Sequence, residues 1–143
     1  MNKNLKIATI LPYKENYTFN KAQAAAIWVC DFYKYSKFKD QNFIFGNTKG
    51  KDYLTKNYIN ITINNLKSKF SSSTNEYCKN FIKKTQNTYF DIIEIHNRPL
   101  VFNFLKKEIN TKYIMYFHND PLSMNGSKTT NERFDSKNQR RAA

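Results

Sequence analysis

The chain reads as an α/β protein: a mainly parallel sheet of about five or more strands with helices on both faces. Three observations lead there. Short apolar runs alternate with longer segments of helical character, the order expected of strand–helix–strand crossovers. The runs are continuously apolar rather than alternating, which suits strands covered on both sides. The 143 residues, with 16% aromatic content, are enough for one domain with its own core.

The first run, "LKIATIL" at residues 5–11, is a short buried strand that ends at Pro12. It has no small-residue cleavage site, so a strand fits it better than a signal peptide. A polar loop over residues 12–20 follows. Asn20 and Gln23 have capping-box spacing and predict a helix over residues 21–36. The alanines there favour a helix, and Ile27, Trp28, Val29, Cys30, Phe32 and Tyr33 predict one packed between layers.

"NFIFG" (42–46) is a second strand, and "YINITI" (58–63), rich in β-branched residues, a third. Ser73 and Glu76 predict a second capping box. The helix they open carries Tyr77 and Phe81 on its apolar face and Lys79, Lys83 and Lys84 elsewhere. "FDIIEI" (90–95) is a fourth strand. Asn97 is expected to cap a helix over residues 98–109, with Pro99 in its first turn, where a missing N–H costs nothing. "KYIMYF" (112–117) is a fifth strand. A loop and a last helix from Thr129 are expected next, and apolar periodicity ends after Phe134. The domain is therefore placed at residues 1–134, with a polar, truncated or disordered tail at 135–143.

The two histidines occupy matching places. "DIIEIHNRP" (91–99) and "YIMYFHNDP" (113–121) both run from an apolar stretch into His-Asn-x-Pro. Strands of a parallel sheet point one way, so their carboxyl ends share an edge, where ligands of such sheets bind. His96 and His118 are thus expected side by side as adjacent lips of one cleft, with the loop at 12–20 as a third. Asn97, Arg98, Asn119 and Asp120 add donors and acceptors. Asn, Asp and His at such an edge suit sugar hydroxyls, because each orients a hydrogen bond. Helix N-termini opening there suit phosphate or hydroxyl oxygens. The bland reading is that Asn97 is only a cap and Asp120-Pro121 only a turn.

At these residues the chain resembles the N-terminal domain of a GT-B glycosyltransferase of the family-4 kind. The likeness runs over residues 5–134, through "KIATILPYKENYTFNKAQAAAIWVCDF", "FDIIEIHNRP" and "YFHNDPLSMNGSKTTNERF". The last two segments resemble bacterial transferases that build surface polysaccharide or lipopolysaccharide. The resemblance implies a Rossmann-like acceptor half, facing a second half that holds a nucleotide-sugar. It implies transfer with retention and no cofactor or metal. His118 matches the family histidine that contacts the transferred sugar. His96, Asn97 and Arg98 fall on the acceptor side. The loop that approaches the donor phosphates, glycine-bearing in the family, here reads Asn20, Lys21, Ala22, Gln23, Ala24, with Lys21 available to compensate by charge.

The family's donor motif, two glutamates separated by seven residues, is absent: no pair among Glu15, Glu76, Glu94, Glu108 and Glu132 has that spacing. The expectation is half an enzyme that needs a donor domain, on another chain or missing, and does not turn over alone.

Two other classes stay open. A metal-dependent hydrolase would use His96, His118 and Asp120, although neither HxH nor HExxH is present. A nucleic-acid-binding domain is allowed by the formal net charge of +13, but the lysines are scattered and no recognition motif occurs. Cys30 and Cys78, without CxxC spacing, suit a reducing cytoplasm. The lysines of the helix near 76–87 offer either a solvated face or a contact with an anionic membrane surface on the inner leaflet.

Overall fold

The computed structural model describes residues 4–64, 66 and 71–120. The loop and last helix expected beyond residue 120, the boundary at 134 and the tail lie outside the described residues.

Five strands form one sheet: β1 (Ile7–Ile10), β2 (Asn42–Gly46), β3 (Tyr58–Asn60), β4 (Ile92–His96) and β5 (Lys112–Tyr116). Their order is β3-β2-β1-β4-β5, and every pairing is parallel. This is a Rossmann-like α/β fold. The chain builds outward from β1 through β2 to β3, then returns to the other side of β1 for β4 and β5. The strand order therefore reverses between β1 and β4, the place where a crevice opens at the carboxyl edge of such sheets.

The central strands β1, β2 and β4 are largely buried because alternate residues face different layers. Contrary to expectation, the edge strand β5 is not covered on both sides: Met115 is buried, but Lys112 and Ile114 are exposed. Ala8, Ile10, Ile93, Ile95 and Met115 pack with Tyr77, Phe81, Val101 and Leu105 of α2 (Ser73–Thr85) and α3 (Pro99–Glu108). Leu11 and Ile44 face the other way, onto Ala26, Val29 and Cys30 of α1 (Ala24–Tyr35). Gly46 ends β2 where a side chain would collide: a Cβ there would sit 2.8 Å from the Tyr58 hydroxyl.

Several local expectations need correction. α1 begins at Ala24, not at residue 21, and Gln23 at its N-cap makes no side-chain capping bond. Asn20 is not a cap. It lies in a turn in which the Lys21 and Ala22 N–H groups both donate to the Thr18 carbonyl. The exposed start of α1 is served instead by Glu15, whose Oε2 accepts from the Ala26 N–H at 3.1 Å. Nor is α1 wrapped between layers: Trp28, Phe32 and Tyr35 are exposed, and only Ala25, Ala26, Val29 and Cys30 are buried. Small residues on one side let the helix lie close to the sheet and turn its large rings outward.

In α2 the cap is Ser72, which accepts from the Asn75 N–H, rather than Ser73. Glu76 accepts from the Asn64 N–H and ties the helix start to the segment after β3. β3 is three residues long, shorter than the apolar run suggested.

A candidate binding edge around the two histidines

The β1–α1 loop is held at the carboxyl edge by Tyr17. This ring is fully buried and stacks on Tyr58 with centroids 4.9 Å apart, and its N–H donates to Thr48 Oγ1. Tyr77 reaches the same edge from α2 and donates its hydroxyl to the Leu11 carbonyl at 2.8 Å. The loop thus forms a third lip beside the ends of β4 and β5.

The two His-Asn-x-Pro copies meet there, but not in register. β4 pairs with β5 so that His96 stands opposite Tyr116, not opposite His118. His96 is the last residue of β4, whereas His118 lies two residues past the end of β5. Tyr116 therefore lies against His96, ring on ring at 4.8 Å and 13°. His118, on the same side of the chain, stands about 6.6 Å further along. Its ring leans back so that His118 Nε2 lies 2.7 Å from His96 Nδ1. With centroids 5.1 Å apart and planes within 20°, the imidazoles meet edge to edge. A bond through an in-plane ring nitrogen requires that arrangement.

The offset gives the copies different exposure. His96 is 0% exposed, so it supports the site from beneath and does not line it, contrary to the expectation of a ligand contact. His118 is half-buried. Burial pushes the His96 pKa down to about 3, with His118 adding to the effect. Burial also lowers the pKa of His118. Both rings are neutral at neutral pH.

Trp28, the only tryptophan, closes the pair from α1: its ring lies 5.6 Å from His96, 5.4 Å from Tyr116 and 5.3 Å from His118. Sequence reading assigned Trp28 to packing and passed over Tyr116. Neither has a motif; only the strand register and the pitch of α1 bring them to the histidines.

Asn97 is not a helix cap. Arg98 holds the N-cap position of α3, without a side-chain bond. Asn97 has φ 54°, the left-handed region that Asn tolerates better than most residues. That turn aims its Oδ1 at the next strand's end, where it accepts from the His118 N–H at 2.7 Å. Its own N–H donates to the Tyr116 carbonyl. Asn97 is nearly buried and is a clasp between the two lips.

Arg98 turns toward the third lip. Its guanidinium lies over the Tyr13 ring at 5.0 Å, and its buried Nε has no hydrogen-bond partner. Glu15 feels Arg98 as well. Burial raises the Glu15 pKa, while the Ala26 N–H, Arg98 and the Ala25 N–H oppose the rise. Tyr13 and Glu15 were not foreseen as site residues, since a lone Tyr and Glu in a polar loop carry no pattern.

Asn119 and Asp120 are exposed beside His118, and Asn20 and Lys21 are exposed on the β1–α1 loop. His96, Asn97, Arg98 and His118 are thus joined by contacts among themselves or with the loop, while Asn20 and Lys21 are not drawn into that network. Among the described residues no three His, Cys, Asp or Glu side chains gather as a metal ion would need, so the hydrolase reading lacks its ligand set. The edge can offer a neutral imidazole, side-chain amides and a carboxylate to a polar, hydroxyl-rich ligand.

Comparison with protein-family models, with curated proteins and with solved structures found no match for this chain.

Proposed function

We propose that the chain is the N-terminal, acceptor-binding half of a glycosyltransferase that moves a sugar from a nucleotide-sugar to a glycan or lipid-linked acceptor. One observation carries this reading. A half-exposed, neutral imidazole, His118, stands at the carboxyl edge of a parallel sheet, held by His96 and Asn97 and flanked by Asn119 and Asp120. The likeness of the two histidine segments to GT-B transferases supports the same reading, as does the position of the strand reversal between β1 and β4.

In this reading His118 touches the sugar, Asn119 and Asp120 take hydroxyls, and Arg98 serves the acceptor side. Lys21 stands toward the donor phosphates. The nucleotide-sugar needs a donor half that this chain's glutamate spacing does not supply, so a partner chain or further domain completes the enzyme. Synthesis of surface polysaccharide or lipopolysaccharide is the setting. No helix among the described residues is long and apolar enough to cross a membrane. Lys79 and Lys83, exposed on α2, would hold the cytoplasmic domain against an anionic membrane face where lipid-linked acceptors lie.

Trp28 reports on the site directly, being the only indole and 5.3 Å from the His118 ring. Titration with an oligosaccharide panel should change its fluorescence saturably, and His118→Ala should abolish the response. The chain alone should show no transfer from nucleotide-sugars. Robust transfer without a partner would refute the half-enzyme reading. Silence toward every saccharide, with steeply salt-dependent binding of arbitrary RNA or DNA, would replace it with nucleic-acid binding.

A further inference from the structure

We propose that His96 is a positioning residue that keeps the proton of His118 on Nε2, so that His118 Nδ1 faces the ligand as a bare acceptor for a hydroxyl group. This rests on the reading of the edge as a sugar site and names the part of the sugar that His118 takes.

The 2.7 Å contact joins two neutral rings, so one nitrogen donates and the other accepts. If His96 donated from Nδ1, its Nε2 would be a bare lone pair. If His118 donates from Nε2, His96 carries its proton on Nε2. That nitrogen is buried and has no hydrogen-bond partner in either case. Tautomer preference decides. The Nε2–H form is the one a free histidine side chain prefers. Donation from His118 gives it to both rings, whereas donation from His96 would force the Nδ1–H form on both.

The same direction of donation survives protonation. A proton taken up by the pair lands on Nδ1 of His118, the more exposed ring, while its Nε2–H continues to donate to His96. The base is thus oriented by a second ring, as an acid–base residue requires. A lone pair at Nδ1 attracts hydroxyl hydrogens and repels the oxygens of phosphates and carboxylates. The His118 subsite is therefore matched to saccharide hydroxyls and set against the nucleotide's phosphates.

Long-range proton–nitrogen NMR of the histidine rings at neutral pH tests this. The expected spectrum shows His118 with a protonated Nε2 and an unprotonated Nδ1. In His96→Gln, whose amide oxygen can accept the same hydrogen bond, that pattern should persist. In His96→Phe it should collapse toward an averaged mixture. Protonated Nδ1 on His118 in the wild-type chain would overturn the proposal, as would an unchanged His118 pattern in His96→Phe. If a variant does not fold, the wild-type spectrum decides by degree: His118 should be Nε2–H almost completely, and an Nδ1–H share as large as that of a free histidine side chain would overturn the proposal. The expected tautomer without any saccharide response would sink the sugar reading alone. The wrong tautomer together with saccharide binding would sink this inference alone.

Discussion

The two His-Asn-x-Pro segments are nearly the same in sequence and unlike in structure. In the first copy His96 is buried, Asn97 is a left-handed clasp and Arg98 folds over Tyr13. In the second, His118 is half-buried, and Asn119 and Asp120 are exposed. The cause is a two-residue offset: aligning the copies matches His96 with His118, whereas the sheet matches His96 with Tyr116. One copy has become the scaffold and the other the surface. Repetition in sequence thus placed both segments at one edge without making them equivalent.

The comparison breaks most readily at the histidines. His96→Ala removes a fully buried ring packed by Trp28 and Tyr116, and should cost about 3 kcal/mol in urea unfolding. His118→Ala takes the partner from the buried His96 Nδ1 but removes a half-exposed ring, and should cost about 1 kcal/mol while removing the saccharide response. Equal losses of stability would mean that the copies are equally structural.

The asparagines sharpen it next. Asn97→Ala loses the bond to the His118 N–H and leaves alanine at φ 54°, together about 2 kcal/mol. Asn97→Gly should recover about half of that, because glycine accepts the backbone shape but not the bond. Asn119→Ala should stay within about 0.5 kcal/mol of wild type.

Acid separates the copies by charge. His96 has an ordinary pKa of 6.5 when unfolded and about 3 when folded, so below 6.5 the unfolded chain binds the extra proton. Stability from this group is complete above pH 6.5 and is lost as pH falls toward 3, by about 1.4 kcal/mol per pH unit. Glu15 and Glu94, whose carboxyl pKa values burial raises, act in the opposite sense: their contribution is present in acid and fades as pH rises through the folded-state values. The difference between wild type and His96→Phe isolates the histidine. It should move against the wild type as pH falls from 6.5, and a flat difference would show that His96 is not neutral and buried.

The smallest contrast lies at the third position. Arg98→Ala loses its place over Tyr13 and should cost about 1 kcal/mol, whereas Asp120→Ala should leave stability within about 0.5 kcal/mol.

The sheet was legible because its strands are apolar on both faces, and the shared edge followed from their common direction. β2 was bounded by its own residues, and β4 and β5 to within a residue or two. Capping was misread where the partner is distant: Glu15 serves α1 across a loop, while Asn20 offered only a local spacing. The inequality of the histidines was not legible either. Apolar runs reveal that two strands pair, but the register depends on how their side chains pack against α1 and α3. Trp28 looked like one apolar residue among many until the pitch of α1 turned it toward β4 and β5.

The central claim, that the second copy meets the ligand and the first only supports it, is tested by following both histidine ring C–H resonances through a saccharide titration. The His118 resonance should shift saturably with ligand, and the His96 resonance should follow only weakly through their shared bond. A saturable shift at His96 with His118 unmoved, or no shift at either ring, would contradict the account.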